Sequence, residues 1–409
     1  MSYFEKIDVD FLSKHLDSSG RLRISSLNTQ LDAKFYNDKQ PLLWDEKITG
    51  TASAVHLSDS TIDMTVGDNL NDRIVRQSKK YSQYQTGKGL RCLMTGVLNT
   101  NPTTGIRTRI GYFDDKNDKT QGILKGNGLF FELDGNSLSV VLRNSDVNLN
   151  QTDIKVQQND WNLDKLDGTG DSNIELDITK AQLFVIDFIW LGVCKIRFGF
   201  MFGGDIVYCH EIDNINTLET TFMNTPSLPV RYEIENTDGV TNSCILKQIC
   251  SSVMNEGGLT DLNVSRSVDR GTNILSAGVT LVPAISIRLK PDYNRNSIDL
   301  NSFKASNLSG NRDVRVAIYL NGTVTGGTWE NIENSIAQVN TNPTSFDTTG
   351  SVLLHSVYLV NDISTMSAID NQLELYSDIE GVSDTITICF QTTGGSSDVL
   401  AGLNFKEVY

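Results

Sequence analysis

The sequence predicts an all-β protein made of two β-sandwich, jelly-roll-like domains that follow a short N-terminal arm. Three observations predict this class: apolar residues recur at every second position in short runs, glycine separates the runs, and helical periodicity is rare. Glycine occurs 32 times and proline only seven times. Alternation with period two indicates strands that bury one face, and two such sheets pack as a sandwich.

Residues 1–30 are assigned to the arm, which we expect to tie the protein to neighbouring subunits. Two interpretations of residues 3–16 stay open at this point. The spacing of Phe4, Ile7 and Phe11 fits a short amphipathic helix, and the same residues suit an extended arm.

Residues 31–256 form the first predicted domain. Alternation predicts strands at 138–142 and 174–178. The run 183–190 is apolar on both faces except at Asp187, so we expect a central strand that is covered on both sides or meets another subunit. Two glycines before Asp205 separate two apolar runs and predict a hairpin. This order is similar to the concanavalin-type lectin jelly roll, an analogy of fold that carries no function.

Residues 257–409 form the second predicted domain, a further β-sandwich with long polar loops. The boundary lies at Gly257-Gly258, after which the composition shifts to Asn, Ser, Thr and Asp. Alternation predicts strands at 314–320 and 385–390, and residues 332–339 are expected to form a short helix.

Charge and hydropathy limit the partners. The 409-residue chain has a formal net charge of −15, which opposes nucleic-acid binding because such binding needs a basic surface. It has no apolar run of 18 residues and no signal-peptide pattern at its start. We therefore expect no membrane insertion and synthesis in a cytoplasm. The six cysteines lack Cys-x-x-Cys spacing, which favours free buried thiols over disulfides or a metal site.

The carboxylate pattern does not predict an enzyme. Glu211 and Asp213 occupy two of the three positions that a laminarinase-type glycosidase needs on one strand, but Asn216 stands at the third, so a general acid is missing. Glu233 and Glu235 indicate a solvent-exposed strand face. We assign no catalytic residue, no metal and no cofactor. A loosely bound calcium at 114–118 is the alternative to a plain polar turn there.

Six residues are candidates for assembly or ligand contacts. Two belong to a basic cluster between residues 73 and 91, which we expect to meet an acidic patch on a partner subunit rather than nucleic acid. Others lie in the loop 161–170, which is expected to plug a core or a neighbouring subunit, with ligand binding as the alternative. The six are Trp161, Leu163, Trp190, Arg73, Arg76 and Tyr84.

Several segments of the first domain resemble a family of virion structural proteins encoded by tailed phages and other large DNA viruses. They are Pro41-Leu-Leu-Trp-Asp-Glu46, Arg73-Ile-Val-Arg-Gln77, Tyr84-Gln-Thr-Gly-Lys88, Arg109-Ile-Gly-Tyr-Phe-Asp-Asp115, Trp161-Asn-Leu-Asp-Lys-Leu-Asp-Gly-Thr-Gly170, Trp190-Leu-Gly-Val193, Arg197-Phe-Gly199 and Thr225-Pro-Ser-Leu-Pro-Val-Arg-Tyr-Glu-Ile234. Cys194 and Lys195 replace the family's Gly-Arg, and residues 118–127 are inserted. The resemblance covers about residues 41–258 and carries no catalytic residue with it.

The resemblance implies a virion structural protein, either a capsid-associated decoration protein or a tail or fibre component. Its partners would be other virion proteins and further copies of itself, with a trimer as the expected homo-oligomer. The alternative is a carbohydrate- or receptor-binding module on the particle surface, which exposed aromatics such as Trp161 or Tyr112 would favour. A glycoside hydrolase is the weaker alternative.

Overall fold

The computed structural model describes residues 16–241, 244–309, 312–360, 364–368 and 374–409. Residues 1–15 of the predicted arm, and with them nearly all of the predicted helix at 3–16, lie outside the described residues. The chain divides into two compact units. The first ends at Thr260 and is interrupted by Asn117–Leu124, which belong to the second unit together with Asp261–Tyr409.

Strands make up most of the first unit, and its only helical elements among the described residues are short 3-10 turns. The strands are β1 Leu27–Lys34, β2 Trp44–Thr49, β3 Ser53–His56, β4 Ile62–Val66, β5 Arg73–Ser78, β6 Leu90–Val97, β7 Ile106–Phe113, β8 Gly128–Asp134, β9 Ser137–Ser145, β10 Gln151–Gln157, β11 Gln182–Phe188, β12 Ile196–Phe202, β13 Asp205–Ile212, β14 Val230–Asn236 and β15 Cys244–Glu256.

These strands form two antiparallel sheets with one apolar core. The eight-stranded sheet has the order β13-β12-β11-β6-β15-β4-β3, with β1 paired to β15, and the seven-stranded sheet has the order β10-β9-β8-β7-β14-β5-β2. Alternate residues of each strand enter the core, as at Leu138, Val140 and Leu142 of β9. The predicted β-sandwich fold and the predicted alternation at 138–142 are therefore confirmed.

Strand β11 explains why the run 183–190 is apolar on both faces. It lies between β12 and β6, and Phe184 and Ile186 enter the core on one face. Asp187 points to the opposite face, where the chain's own residues 16–26 cover it. Arg23 in this covering segment pairs with Asp187, and the Leu16 carbonyl accepts a hydrogen bond from Arg197 Nη2 at 2.7 Å.

The predicted hairpin is confirmed, because Gly203 and Gly204 form the two-residue turn between β12 and β13. Both have positive φ angles, 59° and 91°, which a glycine adopts without steric cost. The predicted strand at 174–178 is wrong. Ile174, Leu176 and Ile178 pack against the core from an irregular loop, in which Glu175 makes a single bridge to Asp167.

The second unit is a β-sandwich with its own core. Its strands are β16 Val264–Asp269, β17 Leu275–Ala277, β18 Val282–Leu289, β19 Ser297–Asn307, β20 Val314–Leu320, β21 Thr323–Thr325, β22 Glu330–Asn331, β23 Ala337–Asn340, β24 Ser345–Asp347, β25 Val352–Leu359, β26 Ser364–Ala368, β27 Glu374–Leu375, β28 Thr385–Thr392 and β29 Ser397–Val408. One six-stranded sheet contains β16-β29-β19-β26 with β17 and β27, and the other has the order β22-β23-β18-β28-β20-β25. Strands β21 and β24 pair separately.

The predicted strands at 314–320 and 385–390 correspond to β20 and β28. The predicted helix at 332–339 is wrong, because the chain turns after β22 and enters β23 there. Residues 117–124 are held in the second unit by backbone bonds, among them Thr120 N–H to the Glu380 carbonyl at 2.8 Å. No helix in the described part of the chain has the length and apolar character needed to span a membrane.

Candidate functional site

A polar cleft of about 440 Å³ lies in the first unit, beside the β8–β9 hairpin. The hairpin turn consists of Gly135 and Asn136, between the paired residues Asp134 and Ser137. Gly135 has a φ of 59°, and a Cβ atom added there would lie 3.2 Å from the Thr104 backbone. A glycine at the first turn position therefore allows both the tight hairpin and its close approach to Thr104.

The opposite wall of the cleft follows the edge strand β10. Gln157 ends that strand, and Gln158 and Asn159 continue as a 3-10 turn. Two contacts hold this turn in place. The Gln158 side-chain amide donates to the Lys165 carbonyl at 2.8 Å, and Trp161, which directly follows the turn, is buried in the core.

The cleft presents hydrogen-bonding groups that the described structure does not use. Asp134, Asn136, Gln157 and Asn159 are exposed and make no side-chain hydrogen bond within the described residues. Polar side chains in other loops make hydrogen bonds within their own loop. Asp146 Oδ1, for example, accepts from two backbone N–H groups of its own turn. The cleft thus offers a carboxylate and several amides to a polar ligand.

A second polar site covers the face of the seven-stranded sheet that points away from the core. Here Arg73, Arg109 and Arg231 converge on the Glu233 carboxylate, at 3.0, 3.2 and 2.8 Å. Arg109 also bonds Glu132 at 2.7 Å. Glu233 is buried, so the prediction that it lies on a solvent-exposed strand face is wrong.

Arg231 of this network and Arg143 of strand β9 lie over an apolar patch formed by Phe113, Phe130 and Val141. The Arg143 guanidinium stands 4.9 Å from the Phe130 ring centroid, and Arg231 stands 5.2 Å from that of Phe113. Cation–π contacts of this kind, together with the ion pairs, stabilise a charged layer on an otherwise hydrophobic surface. The residues of this charged layer are Arg73, Arg109, Arg143, Arg231, Glu132 and Glu233.

The carboxylates of this charged layer remain ionised. Burial raises the pKa of Glu233, but the positive charges of Arg73, Arg231 and Arg109 outweigh it and hold that pKa well below its ordinary value. Burial likewise raises the pKa of Glu132, but the charges of Arg109 and Lys155 outweigh burial, so this pKa also lies below its ordinary value. Neither group holds a proton near neutral pH, so neither is suited to act as a general acid there.

The predicted basic cluster is used within the first unit. Arg76 is buried and donates to Glu46, Gln248 and the Lys39 carbonyl at 2.6 to 2.7 Å. Arg76 thus bonds groups of its own chain, and its contact with a partner subunit stays a prediction. Arg73 pairs with Glu233 as described above.

The loop 161–170 folds onto the core. Trp161 is only 3% exposed and donates its indole N–H to the Val156 carbonyl at 3.2 Å. The prediction that this loop plugs a core is therefore confirmed for Trp161, whose contact with a partner or a ligand stays a prediction. Leu166 of the same loop is buried, whereas Leu163 is 45% exposed. Tyr112 is also buried. Neither Trp161 nor Tyr112 is therefore an exposed aromatic side chain of the kind that would favour glycan binding.

The structure brings Tyr84 and Trp190 together, although 106 residues separate them in the chain. The Trp190 backbone N–H donates to the Tyr84 hydroxyl at 3.0 Å, and the two ring centroids are 6.2 Å apart. Both side chains are half-buried, and the Trp190 indole N–H is bonded to the Met223 carbonyl at 3.2 Å. The pair therefore joins loops of the first unit.

The carboxylates of Glu211, on strand β13, and Asp213, just after it, bond to neighbouring groups of the first unit. Glu211 pairs with Lys195 at 2.8 Å, and Asp213 accepts from the Ile215 backbone N–H at 3.1 Å. His210 is buried, and that burial lowers the pKa of its imidazole. These groups hold the edge strand and its following turn in place.

The stretch 114–118 is not a ready-made calcium site. Asp114 Oδ1 accepts from the Asn127 backbone N–H at 2.9 Å, and Asp115 pairs with Arg143 at 3.1 Å. No group of three metal-ligating side chains occurs among the residues that the structure describes. All six cysteines are free thiols, as predicted. Five of them are buried, and Cys250 is half-buried.

No model of a known protein family matches the chain, and no curated protein matches it. Among solved structures it is similar to an endo-β-1,4-glucuronan lyase from the fungus Trichoderma reesei, with a TM-score of 0.37 and 12% identity over 57% of this chain and 98% of that one. It is also similar to a legume lectin-like domain from Entamoeba histolytica (TM-score 0.33, 13% identity, 55% and 95% of the two chains). A carbohydrate esterase from the Shiga toxin-encoding bacteriophage phi24B has a TM-score of 0.31 and 11% identity over 57% of this chain and 100% of that one. Likenesses at these identities concern the fold and not the function.

Proposed function

We propose that this chain is a non-enzymatic carbohydrate-binding protein whose polar cleft holds a small glycan. The observation that carries the proposal is the set of unused hydrogen-bonding groups around the cleft, on Asp134, Asn136, Gln157 and Asn159. A sugar offers many hydroxyls, each of which both donates and accepts, and amides with a carboxylate complement them. The cleft volume of about 440 Å³ lies within the range of small-molecule sites.

The character of the cleft also limits how tightly it binds. It has no aromatic side chain in its lining, and Leu138 is the one large apolar contact among its lining residues. Recognition therefore depends on directional hydrogen bonds that replace bonds to water, and each such exchange contributes only about 1 kcal/mol. We expect weak binding by a single cleft, strengthened when several copies engage one glycan surface.

The proposal that the protein is not an enzyme is supported by its carboxylates. Glu132 and Glu233 are held ionised by arginines, while Glu211 is paired with Lys195. A glycosidase needs one carboxylic acid that keeps its proton and a second carboxylate across the scissile bond. Neither the charged layer nor strand β13 supplies that pair.

A glycan array tests the carbohydrate proposal. The protein should bind a subset of immobilised glycans, and Asp134→Ala should reduce that signal at least about tenfold, as expected when a charge-assisted hydrogen bond is lost. Glu219→Gln is the matched control, because it changes an exposed carboxylate of the same unit that lies outside the cleft. Equal signals from the wild type and Asp134→Ala would contradict the proposal.

Assembly into a virus particle is the second candidate function, and strand β25 favours it. Among the described strands β25 pairs only with β20, and its eight residues include no Asp, Glu, Lys or Arg. The edge strands β10 and β13 both carry charged residues, which protect a sheet edge from pairing with another chain. Leu353 and Tyr358 of β25 are 46% and 59% exposed, so this edge suits strand addition by a neighbouring copy of this chain in a particle.

A further inference from the structure

An apolar groove of about 440 Å³ lies on the eight-stranded sheet of the first unit, on the face that points away from the core. Leu93, Leu183, Ile249 and Cys250 line it, and each of these side chains is only half-buried. Most of the lining surface is apolar, so water is a poor occupant of the groove and a hydrocarbon chain is a suitable one.

An arginine lies next to the groove along strand β6. Arg91 stands two positions before Leu93, so both side chains are on the same face of the strand, about 7 Å apart along it. The strand register places Asp187 of β11 and Met254 of β15 on either side of Arg91. A chain that lies over Leu93 can therefore end at the Arg91 guanidinium.

The Arg91 guanidinium is available to a ligand. It makes no hydrogen bond within the described part of the chain, although its Nε and Nη2 atoms are buried. A buried charged donor without a partner is costly in free energy, and a bound anion would remove that cost. The neighbouring Asp187 is already bonded through Oδ2 to Arg197 at 2.9 Å and to the Tyr208 hydroxyl at 2.6 Å.

The charges around Arg91 do not balance. The described residues place three arginines, Arg23, Arg91 and Arg197, around two carboxylates, since Asp187 pairs with Arg23 and Arg197 and Glu256 pairs with Arg23. Burial lowers the pKa of Arg23, and the positive charges of Arg91 and Arg197 act in the same direction. A bond from Arg91 to the free Oδ1 of Asp187 would leave this surplus of one positive charge unchanged.

The strands under the groove favour a hydrocarbon over a peptide as its occupant. Strand β6 lies between β11 and β15, and β11 lies between β12 and β6, so their backbone N–H and C=O groups are used within the sheet. A docked peptide would bring backbone groups that need partners, whereas a hydrocarbon chain needs none.

We propose that this groove binds a fatty acid, whose chain lies over Leu93, Leu183 and Ile249 and whose carboxylate pairs with Arg91. A carboxylate matches the guanidinium in charge and in geometry, because it accepts two parallel N–H bonds. The inference is independent of the carbohydrate site, which lies at the β8–β9 hairpin.

Calorimetric titration of the full chain with decanoate tests the pairing with Arg91. Arg91→Met should weaken decanoate binding at least about tenfold, because the charge-assisted bond is lost while the apolar stem stays. Decanol, which lacks the carboxylate, should bind the wild type and Arg91→Met with equal affinity, which shows that the groove is intact in the variant. Arg107→Met is the matched control on the other sheet and should bind decanoate as the wild type does.

Cys250 reports where decanoate binds, because its half-buried thiol lines the groove. The rate at which N-ethylmaleimide modifies Cys250, followed by peptide mass spectrometry, should fall at least about tenfold at saturating decanoate. Absent decanoate binding, equal affinity of the wild type and Arg91→Met for decanoate, or an unchanged Cys250 rate would each overturn the proposal. Protection of Cys250 that grows with protein concentration in the absence of decanoate would also overturn it, because a second copy would then cover the groove.

Discussion

Glu233 is the residue on which the charged layer of the first unit depends. Its carboxylate accepts from Arg73, Arg109 and Arg231 and is 1% exposed. Removing one partner of a buried ion network leaves uncompensated charge, which costs more free energy than the pair contributes. Substitution at this position should therefore destabilise the first unit.

We expect Glu233→Gln to lower the free energy of unfolding of the first unit by about 3 to 5 kcal/mol. Glu219→Gln should change it by less than about 0.5 kcal/mol, since Glu219 is exposed. Urea unfolding followed by tryptophan fluorescence measures both variants. A loss below about 1 kcal/mol for Glu233→Gln would show that the three arginines find other partners.

Acid should destabilise the first unit through Glu132, Glu233 and Asp153, the last of which pairs with Arg143 at 2.8 Å. The pKa values of Glu132, Glu233 and Asp153 are all lower in the folded state than their ordinary values of 4.5, 4.5 and 3.8. Their stabilisation is fully present above those ordinary values and is lost as the pH falls through the lower folded values. The midpoint of thermal unfolding should therefore change little from pH 7 to about 5 and fall steeply below about 4. A flat profile down to about pH 2 would contradict the assignment.

At the residue scale the sequence predicts which residues alternate, but not what lies against the outer face of a sheet. Val230, Tyr232 and Ile234 alternate with Arg231 and Glu233 in a pattern typical of a sheet with one wet side. The structure buries both faces, because arginines from β5, β7 and β14 meet around one glutamate. Arg231 lies on the same strand as Glu233, but only the strand order brings Arg73 and Arg109 beside it, and sequence spacing does not predict that order.

At the element scale, our proposal that the chain assembles in a virus particle depends on the uncharged edge of β25. Leu353→Lys places a charge on that edge and should shift any oligomer toward the monomer, because pairing would then desolvate a lysine. Light scattering measures the mass. Val147→Lys is the control, since Val147 is 88% exposed in a loop of the first unit. A wild-type protein that is monomeric at all concentrations, or a Leu353→Lys variant with unchanged mass, would contradict strand addition at β25.

Elements with a local signal were predictable, and elements that depend on distant contacts were not. The hairpin at Gly203-Gly204 follows from two residues that tolerate positive φ angles. The strand predicted at 174–178 forms no ladder, although its apolar residues do pack on the core as alternation requires. The helix predicted at 332–339 fails because β18 pairs with β23, and that pairing outweighs a weak helical period.

At the scale of the whole molecule, the two units should unfold as separate cooperative transitions, since each has its own core. Ile388→Ala removes a buried side chain of the second core and should destabilise that unit by about 2 to 5 kcal/mol. In calorimetry it should move one transition, and Glu233→Gln should move the other. A single transition that both substitutions shift would contradict independent cores.

The candidate site itself was only partly visible in the sequence. The residues Asp134-Gly135-Asn136 between two apolar runs are a hairpin signal, and the polar turn at 158–160 is a loop signal. Their proximity arises because β10 folds back onto β9 and carries Gln157 and Asn159 to the hairpin end of the sheet. A ligand site built from two loops is therefore defined by topology, while each loop alone indicates only a turn.

The most direct test of carbohydrate binding is a crystal structure of the protein with the glycan that the array identifies. We expect electron density for the sugar between the β8–β9 hairpin and the turn after β10, with a hydroxyl within hydrogen-bond distance of the Asp134 carboxylate. A glycan bound elsewhere on the first unit, or an empty cleft at saturating glycan concentration, would contradict the assignment of this cleft as the binding site.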